Sequence, residues 1–198
     1  MDMQAVGLFV AAATALLGSP GPGIVALLAV GKAQGWSQGI RYYAGLQIGL
    51  AVAAVSSGAG LITVLAVYPV VTRAMGVGAT IYLVYLAYAI ATSPVGTNSP
   101  DRPGSYSPVA GLFLGITNPK AYLAFASLLA SPLRLMSSDS ANIALKVALC
   151  IAVIIVVDLA WLWFGVAMGR KQLTPLGERT MNIVMGGTIL IATALALF

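Results

Sequence analysis

Histidine is absent from these 198 residues, cysteine occurs once, and charged side chains make up only 8%. Each shortage removes a class of function. Without imidazole there is no His ligand for zinc and no His general base. The lone Cys150 has no intrachain partner for a disulfide and reads as a small apolar filler inside a membrane segment. A soluble domain carries about 25% charged residues, so this chain cannot cover a water-facing surface. Soluble, disordered and nucleic-acid-binding readings fall together, and no nucleic-acid partner is expected. No GxxxxGK[ST] segment occurs, so nothing points to ATP. No cofactor and no metal are expected.

What is present is apolar: 60% of the residues are hydrophobic. A membrane helix needs ~20 such residues to cross a hydrocarbon core ~30 Å thick. Residues 3–31, 42–72, 74–100 and 180–198 contain no charge, 103–133 contain only Lys120, and 147–169 contain only Asp158. These gaps predict about six transmembrane helices, near 4–30, 42–66, 71–92, 109–131, 143–168 and 180–197. The segments are apolar all round, as lipid requires, whereas the strands of a membrane barrel would alternate. The expected fold class is therefore an all-α, multi-pass integral membrane protein. Met1-Asp2-Met3-Gln4 lacks the basic start of a cleaved signal, so the first span is read as retained.

One stretch is a true linker, the Pro/Gly/Ser-rich 93–108. It divides the chain into 1–92 and 109–198, three spans each, and an odd number of spans per half makes the two halves inverted repeats. The short connection from Lys32 to Arg41 reads as a Gly/Gln/Ser turn. Six basic residues, Lys32, Arg41, Arg102, Arg170, Lys171 and Arg179, fall on the linker's side, against Arg73, Arg134 and Lys146 opposite. That bias places the linker in the cytoplasm and both termini outside.

Spans one and four carry matching interruptions. Gly18-Ser19-Pro20-Gly21-Pro22-Gly23 lies in the first, and Gly115-Ile116-Thr117-Asn118-Pro119-Lys120 in the fourth. Gly18 to Gly115 and Pro22 to Pro119 are both 97 positions apart. Proline removes a backbone donor and clashes with the turn before it, and glycine eases departure from helical dihedrals. Freed backbone groups inside hydrocarbon need partners or a wet cavity. Paired breaks at corresponding places in two halves point to a transport site near the membrane midplane. The competing reading is that each proline merely kinks its helix.

Polar residues inside the spans sharpen that site. Asp158 sits mid-span, where a carboxylate costs at least ~2.5–3.5 kcal/mol on insertion scales. It is tolerable facing a cavity, paired with a cation, or protonated, and a proton carrier meets the last condition in part of its cycle. A static ion pair is the alternative. Lys120 can snorkel to the interface, or face the cavity and neutralise Asp158 or a substrate carboxylate. Asn118 and Thr117 stand where a restarted helix offers N–H groups to an anion. Gln47, one turn after Tyr43, must face protein or water. Gly45/Gly49 and Gly165/Gly169 read as close helix packing, with room for a homodimer as an alternative use. Trp36, Tyr42, Tyr43, Tyr68, Trp161 and Trp163 read mostly as interfacial belt residues. Trp161 shares the face of Asp158 and is a candidate wall of the site. The Tyr82, Tyr85 and Tyr88 stripe reads as packing.

These motifs together resemble the lysine-exporter (LysE/RhtB) superfamily of small bacterial amino-acid exporters. The resemblance spans nearly the whole chain and rests on Ser19–Gly23, Ile116–Lys120, Ala44–Leu50 and Val156-Val157-Asp158. The last two are similar to the homoserine/threonine-exporter branch. The chain departs from that branch at Ala53, where a His is frequent, at Ala87, where a Gly is frequent, and at Ala89-Ile90-Ala91-Thr92, where basic residues are frequent. The resemblance implies about six spans in the bacterial inner membrane and export of an amino acid or derivative driven by the proton gradient. It implies substrate-binding roles for Pro20, Gly21, Pro22, Gly23, Asn118, Pro119 and Lys120, with Gln47 beside them, and proton coupling at Asp158. The expected partners are a small amino acid, protons and the lipid bilayer. A passive channel or small-ion exporter is the alternative function. An intramembrane enzyme is disfavoured, since no His and no acid pair lie within the spans.

Overall fold

The computed structural model describes residues 2–19, 21–60 and 106–169 throughout. It also describes positions 70, 73–74, 77, 80–81, 84–85, 87–88, 91–92, 176–177, 179–180, 182–184, 186–187 and 190–191. Pro20, Tyr68, Tyr82 and linker residues 93–105 lie outside the described residues. Five helices are delimited: α1 (Met3–Gly18), α2 (Pro22–Gly58), α3 (Pro108–Thr117), α4 (Pro119–Leu129) and α5 (Asp139–Gly169). Every described position in 70–91 and 176–191 is also helical, and no strand occurs among the described residues.

Helix α1 starts where Asp2 accepts from the N–H groups of Gln4 and Ala5, at 3.0 and 3.1 Å. An aspartate at this position satisfies two of the helix's orphan donors. Ala5, Phe9 and Ala13 recur every fourth residue and bury one narrow stripe, while Leu8 and Leu16 remain exposed. A narrow protein-facing stripe with apolar residues elsewhere suits a helix whose other faces meet lipid.

Helix α2 is 37 residues long and holds one non-helical residue, Gly35, at φ 69°. That left-handed conformation favours glycine. The chain reverses there. Leu28 and Lys32 meet Gly165 and Gly169 of α5 in parallel order, whereas Gly39 and Gly58 meet Leu162 and Val147 in antiparallel order. The turn expected over Lys32–Arg41 is thus compressed to one residue between two helical arms. The second arm, 36–58, is ~35 Å long at 1.5 Å per residue, enough to span a membrane.

Spans one and four are broken where proline and glycine predicted. The axes bend by 65° between Met3–Gly18 and Pro22–Gly58, and by 51° between Pro108–Thr117 and Pro119–Leu129. Each resumed helix begins at the proline of the 97-residue register, Pro22 and Pro119. Helix α5 is long and apolar enough to cross a membrane alone, and each bent pair passes the same test when taken as one span. It begins at Asp139, four positions earlier than the charge gap suggested.

Close packing joins these elements backbone to backbone. A Cβ on Gly45 would strike the Pro108 carbonyl, and one on Gly111 the Tyr42 carbonyl. Gly49 lies against Leu112 and Gly115 in the same seam, and Gly31 and Gly165 form a second seam between α2 and α5. The glycine spacings read as close packing do that work. Lys32 and Gly35, Pro108 and Gly169 therefore lie at one end. Gly58, the 130–138 loop and the start of α1, where the Asp2 N–H donates to the Leu135 carbonyl at 3.2 Å, lie at the other. Near the first end Lys32 Nζ donates to Asn182, and Gly186 packs on the Ala87 carbonyl, tying the last helical region to the rest.

Two polar-tipped side chains near helix ends are buried. Tyr42 is no belt residue: it is fully buried in the α2–α3 seam, because Gly111 lets the backbones close over it. Lys146 is no loop cation. It is 2% exposed and donates to the Ser131 carbonyl at 2.8 Å, the Ser131 hydroxyl at 3.2 Å and the Leu129 carbonyl at 3.4 Å. These acceptors lie at the C-terminal end of α4, where carbonyls lack helical partners and the helix dipole favours a cation. The Phe9 ring of α1 covers the ammonium at 5.8 Å, so one buried lysine draws three helices together.

Candidate functional site between the two helix breaks

A cavity of about 40 Å3 lies between the breaks. A water needs ~10–15 Å3 on this measure, so there is room for about three. Gly21, Gly23 and Ile24 from the first break line it, as do Asn118 and Lys120 from the second and Asp158 from α5. Leu16, Leu17, Leu50, Ala121, Ala124 and Ile154 complete the wall. The cavity therefore gathers charge, amide and backbone from positions up to 137 residues apart, since Gly21 and Asp158 both border it.

The first break is satisfied from outside itself. Past the end of α1, the Gly18 carbonyl accepts from Trp161 Nε1 at 3.3 Å and the Ser19 carbonyl accepts from Lys120 Nζ. Ser19 turns its own hydroxyl onto the Leu16 carbonyl at 2.9 Å. Three carbonyls freed by the break are thus met by three side-chain donors, as a low-dielectric setting demands. Trp161 is thus tied to the first break itself and is not among the residues that line the cavity. At the restart, Gly21 precedes α2 without any side-chain cap. Gly23 and Ile24, whose N–H groups belong to the uncapped first turn, border the cavity. A Cβ on Gly21 would lie 2.6 Å from Lys120 Cδ and 3.0 Å from Lys120 Nζ and would push the lysine stem from its place.

The second break is a single residue. Asn118 closes α3 and opens α4, and its side chain accepts from the Ala121 N–H at 3.4 Å. Its backbone carbonyl accepts from Ala121 and Tyr122 at 3.1 and 3.4 Å. Asn118 therefore spends its oxygen as an N-cap, and Thr117 returns its hydroxyl to the Phe113 carbonyl at 2.8 Å. Pro119 occupies the first helical position, where a missing N–H costs nothing.

Asp158 is 4% exposed and turned inward, not toward the acyl chains. Gln47 Nε2 donates to its Oδ2 at 2.8 Å. This contact joins the second arm of α2 to α5. Gln47 Oε1 is buried without a hydrogen-bond partner among the described residues. Tyr43, one turn away, donates to the Ile155 carbonyl at 2.9 Å and pins the same two helices. No group of three or more metal-ligating side chains occurs among the described residues.

Of the residues singled out in the sequence, Gly21, Gly23, Asn118, Lys120 and Asp158 come together around the cavity. Pro22 and Pro119 start the flanking helices, and Gln47 reaches the site through Asp158. The sequence reading passed over the tie between Lys120 and the Ser19 carbonyl, and Lys146. Lys146 was findable: it belongs to the buried face Lys146, Cys150, Val153, Ile154, Asp158, Leu162 and Gly165, which repeats at helical spacing.

No curated protein and no solved structure matches the chain. A family model described as LysE type translocator matches residues 14–198, covering both helix breaks and the Asp158 helix. That family consists of transporters, not enzymes, and membership points to export of an amino acid or other metabolite. An architecture that is helical among the described residues, with two proline-broken helices around a cavity holding Asp158 and Lys120, agrees with that match, and the chain belongs to the LysE type translocator family of membrane proteins.

Proposed function

We propose that the protein is a secondary transporter that exports a small amino acid, or a close derivative, across the bacterial inner membrane in exchange for protons. The observation that carries this reading is the buried Asp158 carboxylate facing the same small cavity as Lys120 and the uncapped start of α2. A zwitterion presents one anion and one cation. Its carboxylate suits the Gly23 and Ile24 N–H groups and Lys120, which combine a helix N-terminus with a charged donor. Its ammonium suits Asp158, with Gln47 Oε1 as a further acceptor. A proton and an ammonium compete for one carboxylate. Protonation of Asp158 from outside then releases the cargo there, and loss of the proton inside readies the site again.

In this reading residues 1–92 and 109–198 are inverted three-helix repeats joined by the cytoplasmic linker 93–108, and they rock about the Gln47–Asp158 contact to expose the site alternately. The narrow cavity favours a carrier over a passive channel or small-ion exporter, which would need a continuous path. The test is uptake of labelled amino acids into inverted membrane vesicles carrying the protein, with and without an imposed inward-acid pH gradient. Saturable uptake stimulated by the gradient is expected. Uptake indifferent to the gradient would remove proton coupling, and single-channel conductance would replace the carrier with a channel.

A further inference from the structure

We infer that the cargo is a neutral amino acid with a short aliphatic side chain, in preference to a hydroxylated or cationic one. The inference rests on the transport reading above and concerns the part of the cavity that the zwitterion's charged groups leave over. Among the described residues only Asp158, Lys120 and Asn118 bring polar side chains to the wall. Asp158 and Lys120 are taken by the ammonium and the carboxylate, and Asn118 already caps α4 through Ala121. What remains for a side chain is Leu16, Leu17, Ile24, Leu50 and Ile154 on one hand and the small face Ala121 and Ala124 on the other.

A cationic side chain would enter this wall without an acid to meet it. The other acids among the described residues are Asp2 and Asp139, both exposed at the far end of the molecule, and Asp139 already pairs with Arg134. An unpaired charge in such a setting is strongly disfavoured. A hydroxyl facing Leu50 or Ile154 would meet no polar side chain there among the described residues, a milder penalty. A hydrophobic pocket discriminates against an added hydroxyl by about a hundredfold at most. Ala121 and Ala124, one helical turn apart on α4, offer only methyl groups, and the cavity is small, about 40 Å3, so a short side chain fits best.

Valine and threonine share a shape and differ by methyl against hydroxyl, which makes them the decisive pair. The full chain is reconstituted in liposomes and exchange of labelled valine is competed with unlabelled valine, alanine, threonine and lysine. Valine and alanine should compete at least about tenfold better than threonine, within the hundredfold ceiling for such a pocket. Lysine should compete least. Threonine or lysine competing as well as valine, with exchange intact, overturns this inference and leaves the transporter standing. No exchange of any amino acid overturns the transport reading and this inference with it. Ile154→Thr places a hydroxyl in the wall and should narrow the ratio of valine to threonine. A folded variant with an unchanged ratio would remove Ile154 from the specificity pocket and overturn the assignment of the wall.

Discussion

The two interrupted helices share a register and close their breaks by opposite means. Around the first, Ser19 to Gly21 separate α1 from α2, and the loose carbonyls are held by Trp161 and Lys120 from elsewhere in the chain. Around the second, Asn118 alone separates α3 from α4 and satisfies the restart with its own oxygens. The helices leading into the breaks differ in the same sense. A Cβ on Gly111 of α3 would enter backbone of α2, whereas one on Gly7 of α1 would meet nothing within 4 Å. One break is a fixed corner on an interlocked helix. The other is assembled from distant donors on a lightly held helix, and its uncapped side borders the cavity.

The largest expected effect tests the interlock. Gly111→Ala drives a methyl into the Tyr42 carbonyl, where neither backbone can yield cheaply, and overpacking of this kind costs ~1–3 kcal/mol or more. Yield of monodisperse protein in detergent should collapse for Gly111→Ala and hold for Gly7→Ala. Equal yields would erase the distinction between α3 and α1.

Next comes the carboxylate between the breaks. Asp158→Asn keeps the shape but abolishes the charge, and a hydrogen bond to a charged group is worth about 1.5–3 kcal/mol. Efflux should fall by about 10–100-fold, since each 1.4 kcal/mol is a factor of ten, and the remainder should ignore an imposed pH gradient. Full, gradient-driven efflux by the Asp158→Asn variant would take this carboxylate out of the mechanism.

The tie across the breaks is expected to matter somewhat less. Lys120→Met retains the stem beside Gly21 and leaves the Ser19 carbonyl without its donor, so efflux and detergent melting temperature should both drop. Gly21→Ala, which pushes on the same stem, should shift both in the same direction by a smaller amount. A silent Gly21→Ala would mean that Lys120 does not need its place against the first break.

The smallest effect concerns the self-contained corner. Asn118→Ala removes one N-cap, a loss of about 1 kcal/mol, and Asn118→Ser should recover most of it in thermal unfolding. A loss several times larger would show that Asn118 does more than cap α4.

The sequence made the helical layout legible because lipid leaves few solutions. Uncharged runs of the right length become helices, and proline opposite its counterpart 97 positions away becomes a break. Gln47 and Asp158 could each be marked as costly in lipid, but nothing in a one-dimensional string says that they meet at 2.8 Å across 111 positions. Lys120 was open between interface and cavity for the same reason: its partner is a backbone carbonyl, which carries no residue identity. Tyr42 misled because an aromatic near a helix end resembles a belt residue until Gly111 is seen against its backbone. Lys146 could be given a side of the membrane but not a partner, because its acceptors are the end of another helix, not an acid.

The glycine seams along α2 carry a consequence for how the protein can move. Where main chains touch with no side chain between them there is no soft layer to absorb sliding, and a shift of a fraction of an ångström sets carbonyl against amide. On the transport reading proposed above, a space for three waters must nevertheless swell to swallow an amino acid. The swelling is then left to the pieces outside those seams, α1 and α4, which flank the hollow like two jaws on a rigid post, with Lys146 holding the tip of α4 and the middle of α1 to α5.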